Sequence, residues 1–204
     1  MEEIDLWQYE RQALAEGHVH ICGCDEAGAG PLAGPVYAAA VILPMDADIP
    51  GLNDSKKLTE KRREALFPVI QTTALAWSVA SISAREIDET DILTARMQCM
   101  QLAIDGLSLP ADFALVDGNR DHGRGGGVTT PHRCIVKGDS LSASIAAASI
   151  LAKVSRDRFM LEMAKEYPQY AFERHKGYGT KLHYERLREY GPSPIHRRSF
   201  LKNL

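Results

Sequence analysis

Apolar and polar positions divide the chain into short hydrophobic runs followed by longer amphipathic stretches. Residues 3–16 carry Leu6, Trp7 and Leu14 along one side, which predicts a short amphipathic helix. His18 to Cys24 is an apolar run that stops at two adjacent acids, Asp25 and Glu26. Gly23, Gly28, Gly30 and Gly34, with Pro31 and Pro35, crowd around these acids, and Val36 to Leu43 is apolar again. Short apolar runs bounded by turn residues read as buried strands, so the segment predicts a strand, an acidic loop and a second strand. Pro44 to Thr59 reads as a loop carrying Asn53-Asp54-Ser55-Lys56-Lys57. Thr59 then opens a helix that runs through Leu66 and stops before Pro68. Ala74 to Ser83 alternates partially, as a half-buried strand does.

The second half is richer in helix signals. Ile92, Met97, Met100, Ile104 and Leu107 recur near helical spacing and predict a helix over 87–107. Phe113 to Val116 is a short strand ending in Asp117-Gly118-Asn119, and Arg120 to Pro131 is a polar, glycine-rich loop. Arg133 to Val136 reads as the last strand, followed by Lys137-Gly138-Asp139-Ser140. The longest helix runs over 141–165, and its small residues, SASIAAAS, suit close packing on a sheet. Pro168 stops it, His175 to Thr180 is a loop, and Lys181 to Tyr190 is a final helix. Strands first and alternation with helices afterwards predict an α/β sheet with a helical tail. The expected organisation is one domain over 1–204, in which 166–204 forms a basic C-terminal helical segment.

Composition narrows the class. Hydrophobic content of 45% supports a sizeable core, and 25% charged residues mark an ordinary soluble chain. No apolar run has the length that crosses a bilayer, and the acidic N-terminus lacks a signal-peptide pattern, so a cytoplasmic protein with no membrane partner is expected. The cysteines, Cys22, Cys24, Cys99 and Cys134, lie mostly in apolar runs and read as small buried hydrophobes in a reducing compartment. Net charge is −3, yet Arg174 to Leu204 holds eight Lys or Arg against Glu185 and Glu189, a balance of +6 that leaves −9 for the rest. A basic end on an acidic body fits a phosphate-binding patch or a solvated helix face.

The acids carry the candidate chemistry. Asp25 and Asp117 each close an apolar strand and are followed at once by glycine-bearing sequence, and Asp139 follows another short strand. Ligands of open α/β sheets collect at the carboxyl ends of strands, so Asp25, Glu26, Asp117 and Asp139 are placed to converge on one edge. Like charges at a few ångströms repel strongly, and bound divalent cations resolve that conflict. Oxygen-only ligands favour Mg²⁺ or Mn²⁺ over zinc. The plain alternatives are loop acids and, for Asp139, a helix N-cap.

These segments resemble ribonuclease HII, the type 2 ribonucleases H. The resemblance runs through CDEAGAGPLAGPV, LNDSKKLTEKRR, EIDETDILTARM, LVDGNR, VKGDSLSASIAAASILAKVSRD, YPQYAFERHKGYGT and HRRSF, in the family's order. It implies a ribonuclease H-like fold, a mixed five-stranded sheet flanked by helices with a C-terminal helical segment. The implied activity is endonucleolytic hydrolysis of the RNA strand of RNA–DNA hybrids, and cutting at ribonucleotides embedded in duplex DNA. The implied chemistry uses two metal ions, leaves 3′-hydroxyl and 5′-phosphate ends, and is carried by a monomer.

The family's four metal-binding carboxylates match Asp25, Glu26, Asp117 and Asp139. Asp157 lies deep in the longest helix and reads instead as a partner of Arg156 or Arg158. The family's junction tyrosine matches Tyr178, whose alternative is a core ring between turn glycines. Lys56 and Lys57 match the family's lysine segment, with one lysine expected at the site and one solvated. The loop Gly28-Ala29-Gly30 matches the one that reads the 2′-hydroxyl, largely through main-chain atoms. There the family ordinarily has arginine where this chain has Ala29, which bears on affinity more than on reaction type. A hybrid-binding protein without catalysis and a small-molecule phosphatase are the rival readings; the four carboxylates oppose the first and the basic tail opposes the second.

Overall fold

The computed structural model describes residues 5–202. Five strands form the main sheet: β1 (Ile21–Ala27), β2 (Val36–Ile42), β3 (Ala76–Ile82), β4 (Phe113–Asp117) and, after a small hairpin, the strand His132–Ile135. The hairpin strands are β5 (His122–Gly123) and β6 (Gly126–Gly127), so His132–Ile135 is β7. The spatial order is β3-β2-β1-β4-β7. β1, β2 and β3 pair antiparallel, whereas β4 and β7 run parallel to β1. The expected mixed five-stranded sheet is therefore present.

Alternation along β2 explains how both sheet faces are covered. Ala38 and Ala40 face one side, where they meet Met97, Met100 and Ile104 of α4 (Ile92–Asp105). Ala39 and Val41 face the other, against Ala147, Ala148 and Leu151 of α5 (Ala143–Glu166) and Phe67 and Ile70 of α2 (Glu60–Thr73). Strands covered on both faces read as continuous apolar runs, which is why these runs were conspicuous. Small residues set the depth of α5: a Cβ added at Gly23 would fall within the backbone of Ser144 and Ile145. Ser142 caps α5, its hydroxyl accepting from the Ile145 amide at 3.2 Å.

Several predicted boundaries move. β1 continues through Asp25 and Glu26 to Ala27, so both acids belong to the strand, opposite Ala39 and Ala38, and not to a loop. Pro68 lies inside α2, which continues to Thr73; burial of Phe67 and Ile70 against α5 outweighs the lost backbone donor. The helix expected over 87–107 is two, α3 (Ala84–Glu89) and α4, because Asp91 caps a new helix by accepting from the Thr94 amide at 2.9 Å. The first helix, α1 (Gln8–Ala15), buries Ala13 and Glu10, while Leu14 is exposed. The start of the predicted 3–16 helix lies outside the described residues. Glu10 is useful inside: it accepts from Ser142 Oγ at 2.6 Å and the Ser144 amide at 3.0 Å, placing a negative charge at the start of α5.

The C-terminal segment folds over the loop after β1. It contains α6 (Phe172–His175) and α7 (Lys181–Tyr190), and Tyr170, Phe172 and Leu187 pack with Leu32, Ala33 and Met160. Main-chain bonds stitch the two together: Leu32 to Gly177 at 2.8 Å, Gly34 to Ile195 at 2.8 Å and Arg197 to Leu32 at 2.9 Å.

Candidate active site

Parallel pairing brings the acids together. Cys24 of β1 lies beside Val116 of β4, so the next residues, Asp25 and Asp117, emerge at the same carboxyl end. Chain direction reverses after β7 through Lys137, which takes left-handed backbone at φ 58, and a short turn, Gly138–Ser140, then presents Asp139. The Asp139 amide donates to Asp117 Oδ1 at 3.3 Å. One carboxylate oxygen each from Asp25, Asp117 and Asp139 falls within 4.8 Å of the others. Asp139 is not the cap of α5, a role held by Ser142.

Glu26 stands to one side of these three aspartates. Strand alternation turns it toward α4, where Oε1 pairs with Arg96 at 2.5 Å. Among the described residues, its Oε2 is buried without a hydrogen-bond partner. Burial, then the Glu26 and Asp117 charges, pushes the Asp25 carboxyl well above the usual carboxylate range. Burial also raises Glu26, against the pull of Arg96, and raises Asp117, with Asp139 adding to it. These carboxyls resist ionising together, so the pocket is built for a compensating positive charge.

Lys56 supplies part of that charge. Asp54 caps its turn by accepting from the Lys56 amide at 2.8 Å, and the Lys56 ammonium donates to Asp139 Oδ2 at 3.1 Å. Burial draws the Lys56 pKa down, but the Asp139 hydrogen bond and charge leave it raised. Lys57 remains exposed, as the solvated lysine of the pair, and donates to Ser140 Oγ at 2.9 Å. Tyr178 is 41% exposed, so it is no core ring, and its face lies 5.6 Å from Lys153 Nζ and 5.5 Å from the Arg156 guanidinium carbon. Asp25, Glu26, Gly28, Ala29, Gly30, Lys56, Asp117 and Tyr178 line one cleft of about 220 Å³, together with Ser149 and Lys153.

Asp157 is buried away from that carboxylate group, as its place in the helix implied. Its partners differ from those expected: Lys153 at 2.7 Å and Arg63 at 3.8 Å. Arg158 pairs with Glu64, and Arg156 runs to backbone carbonyls.

The largest correction concerns the basic end. Arg197 does not face a phosphate patch; it is fully buried and donates to the carbonyls of Gly34 at 2.9 Å, Ala29 at 2.9 Å and Gly28 at 2.6 Å. Arg156 holds the same loop from below, donating to Pro35 and Ala33 carbonyls at 3.2 and 3.1 Å. Gly28, at φ +97, sits against the Arg156 side chain with no room for a Cβ. Two buried cations thus fix the loop whose residues Gly28 to Gly30 line the cleft. Charge counting missed them because a buried and a solvated arginine look alike in sequence.

The family model of ribonuclease HII matches residues 22–203. The chain belongs to the ribonuclease HII family. It is 53% identical over 96% of its length to the ribonuclease HII of Geobacillus kaustophilus, of which it covers 74%. It is 51% identical over its whole length to that of Caldicellulosiruptor bescii, covering 97%. The crystal structure of ribonuclease H2 from Pyrococcus horikoshii shares the fold at a TM-score of 0.73 and 27% identity, over 89% of this chain and 93% of that one. The ribonuclease HII family fixes the class of enzyme: a metal-dependent endoribonuclease. The carboxylate group fits a divalent ion, since its donors are all oxygen and, among the described residues, Glu26 Oε2 is buried without a partner.

Proposed function

We propose that this chain hydrolyses the RNA strand of RNA–DNA hybrids and also cuts at ribonucleotides embedded in duplex DNA. The observation that carries this reading is the meeting, in one cleft, of a carboxylate group with a glycine loop and an exposed tyrosine. Asp25, Asp117 and Asp139 would hold divalent ions, Mg²⁺ or Mn²⁺, with Glu26 completing the set. Two such ions would supply Lewis-acid activation of water and stabilise charge on the leaving 3′-oxygen, leaving 3′-hydroxyl and 5′-phosphate ends.

The chain's own residues do the rest. Gly28 to Gly30, held by Arg197 at the Gly28 and Ala29 carbonyls, line the cleft and would read through their amides a 2′-hydroxyl, the group that separates RNA from DNA. Tyr178 offers an open ring to pack on the sugar beside the ribonucleotide. Lys56, held by Asp139, is poised to meet a phosphate. Arg174, Lys181, Arg188 and Arg198 remain exposed on the C-terminal segment and can position the duplex backbone without reading sequence. All these groups come from one chain, which supports action as a monomer, and the unpaired cysteines suit a reducing cytoplasm.

The test compares a duplex containing one ribonucleotide with an all-RNA strand hybrid, in Mg²⁺ and in Mn²⁺. Cleavage of both, yielding 3′-hydroxyl ends, is the expected result. Failure to cut the single-ribonucleotide duplex in either metal would remove the embedded-ribonucleotide half of the proposal.

A further inference from the structure

The hairpin that follows Asp117 brings together a different set of ligands. Asp121, His132 and Cys134 each offer one ligand atom, and these atoms lie within 4.8 Å of one another. His132 and Cys134 are two apart on β7, so strand alternation puts both on one face. Asp121 is brought to them by the hairpin, which closes through the Val128 amide to the Asp121 carbonyl at 2.8 Å.

The histidine is oriented as a ligand. His132 Nδ1 lies 2.7 Å from the Thr130 carbonyl, an atom that only accepts, so Nδ1 carries a proton. That bond fixes the ring and turns Nε2 toward Asp121 Oδ2, 3.0 Å away. A backbone carbonyl holding the far nitrogen of an imidazole is the usual outer support of a metal-bound histidine. The other oxygen of Asp121 is held by His122 Nδ1 at 2.5 Å, so the carboxylate is oriented as well. Cys22, Cys24 and Cys99 are sealed in the core, whereas Cys134 is only partly buried.

We propose that Asp121, His132 and Cys134 form a second divalent-metal site, separate from the catalytic carboxylates and suited to zinc. A donor set of sulfur, nitrogen and oxygen selects a borderline-soft ion, whereas the catalytic group, all oxygen, selects a hard one. Zinc bond lengths place tetrahedral ligand atoms roughly 3.3–3.8 Å apart. The present spread therefore closes by about 1.5 Å at most, within reach of side-chain rotation at partly exposed residues. A water can take the fourth position. Thiolate and carboxylate together neutralise the ion. The ion would clamp the hairpin to β7 four residues after Asp117, and Gly123 and Gly125 of the hairpin already lie against Thr94 of α4. Its role is structural support beside the catalytic end of β4.

Cobalt(II) is the probe, because thiolate coordination gives a charge-transfer absorption that oxygen ligands do not. Titrating the metal-stripped full chain should raise this band to saturation at one equivalent. Cys134→Ser should abolish it, His132→Gln should weaken cobalt binding at least tenfold, and Asp117→Asn should leave it intact. Zinc should displace the cobalt and magnesium should not. Absence of a thiolate band in the folded wild-type chain, or its survival in Cys134→Ser, would overturn the proposal. A band that disappears with Asp117→Asn would place the ion in the catalytic group and overturn it equally.

Discussion

Replacing Arg197 should loosen the glycine loop and weaken substrate recognition together. The guanidinium donates to Gly28, Ala29 and Gly34 carbonyls, and its face lies 5.2 Å from the Phe200 ring centroid. Each bond from a charged donor contributes about 1.5–3 kcal/mol, and losing the donor leaves buried carbonyls without partners. An opposing effect limits the loss. Burial, with Arg156 nearby, pulls the Arg197 pKa down to about 9, so the cation itself sits unfavourably and its removal relieves that strain. We expect Arg197→Met to lose about 3 kcal/mol net, a hundredfold or so in the folding equilibrium. For a chain of this size that lowers Tm by about 6–12 °C. Arg197→Lys keeps the charge but not the fork, and should fall between the two. Below Tm, the folded variants should show a raised KM on a single-ribonucleotide duplex with a smaller change in kcat, because the carboxylate group is untouched. Melting within about 2 °C of wild type, or an unchanged KM, would show that Arg197 does not hold the loop.

Other expectations follow from the same geometry. Asp117→Asn should abolish most cleavage, by a hundredfold or more, yet raise Tm in the absence of metal at neutral pH, since Asp25, Glu26 and Asp117 all have raised carboxyl pKa values and their ionisation weakens the fold as pH rises; thermal melts with and without Mg²⁺ check the sign. Tyr178→Ala should cut the single-ribonucleotide duplex about tenfold less well with metal affinity unchanged, measured by cleavage and calorimetry. His183 and His196 bond Nε2 to Nε2 at 2.9 Å, and burial lowers them from 6.5 to about 4 and about 3. The unfolded chain therefore takes up protons first, and stability should be full above pH 6.5 and fall as pH drops toward 4 and then 3; denaturant melts should show this fall, and a His183→Gln, His196→Gln variant should flatten it. Ala29→Arg should raise cleavage of the single-ribonucleotide duplex by roughly ten- to a hundredfold at low salt, with the gain shrinking as salt rises.

Most of the framework was legible because it rests on local signals. Runs such as Val36 to Ile42 are apolar at every position, which is what coverage by α4 on one face and α5 on the other requires. The strand-end aspartates announced themselves by breaking such runs, and parallel pairing of β1 with β4 then made Asp25 and Asp117 neighbours. What escaped was decided by contacts far along the chain. Pro68 stays helical because α5 packs against its neighbours Phe67 and Ile70. Asp157 chooses Lys153 and Arg63 over the arginines beside it in sequence, because Arg156 is drawn to loop carbonyls and Arg158 to Glu64. The roles of Glu26 and Arg197 likewise depend on partners 70 and about 168 residues away, Arg96 and Ala29.

The pairing of Arg197 with Ala29 bears on the position where the resemblance read from the sequence expects arginine. A side chain at position 29 would add charge toward a substrate phosphate, but it would not shape the loop. Shape comes from behind, where Arg197 grips the Gly28, Ala29 and Gly34 carbonyls and Arg156 fills the space beneath Gly28. With those carbonyls bound inward, Gly28 to Gly30 still line the cleft. Under the proposed function, recognition of a 2′-hydroxyl through the main chain and attraction of the phosphate through a side chain would therefore be separable. Arg197→Lys should disturb the first at any salt concentration, whereas Ala29→Arg should change the second only while salt is low. If both variants instead responded to salt alike, the loop would be working as one electrostatic unit, and the buried cations would be acting through their charge and not through the conformation they impose.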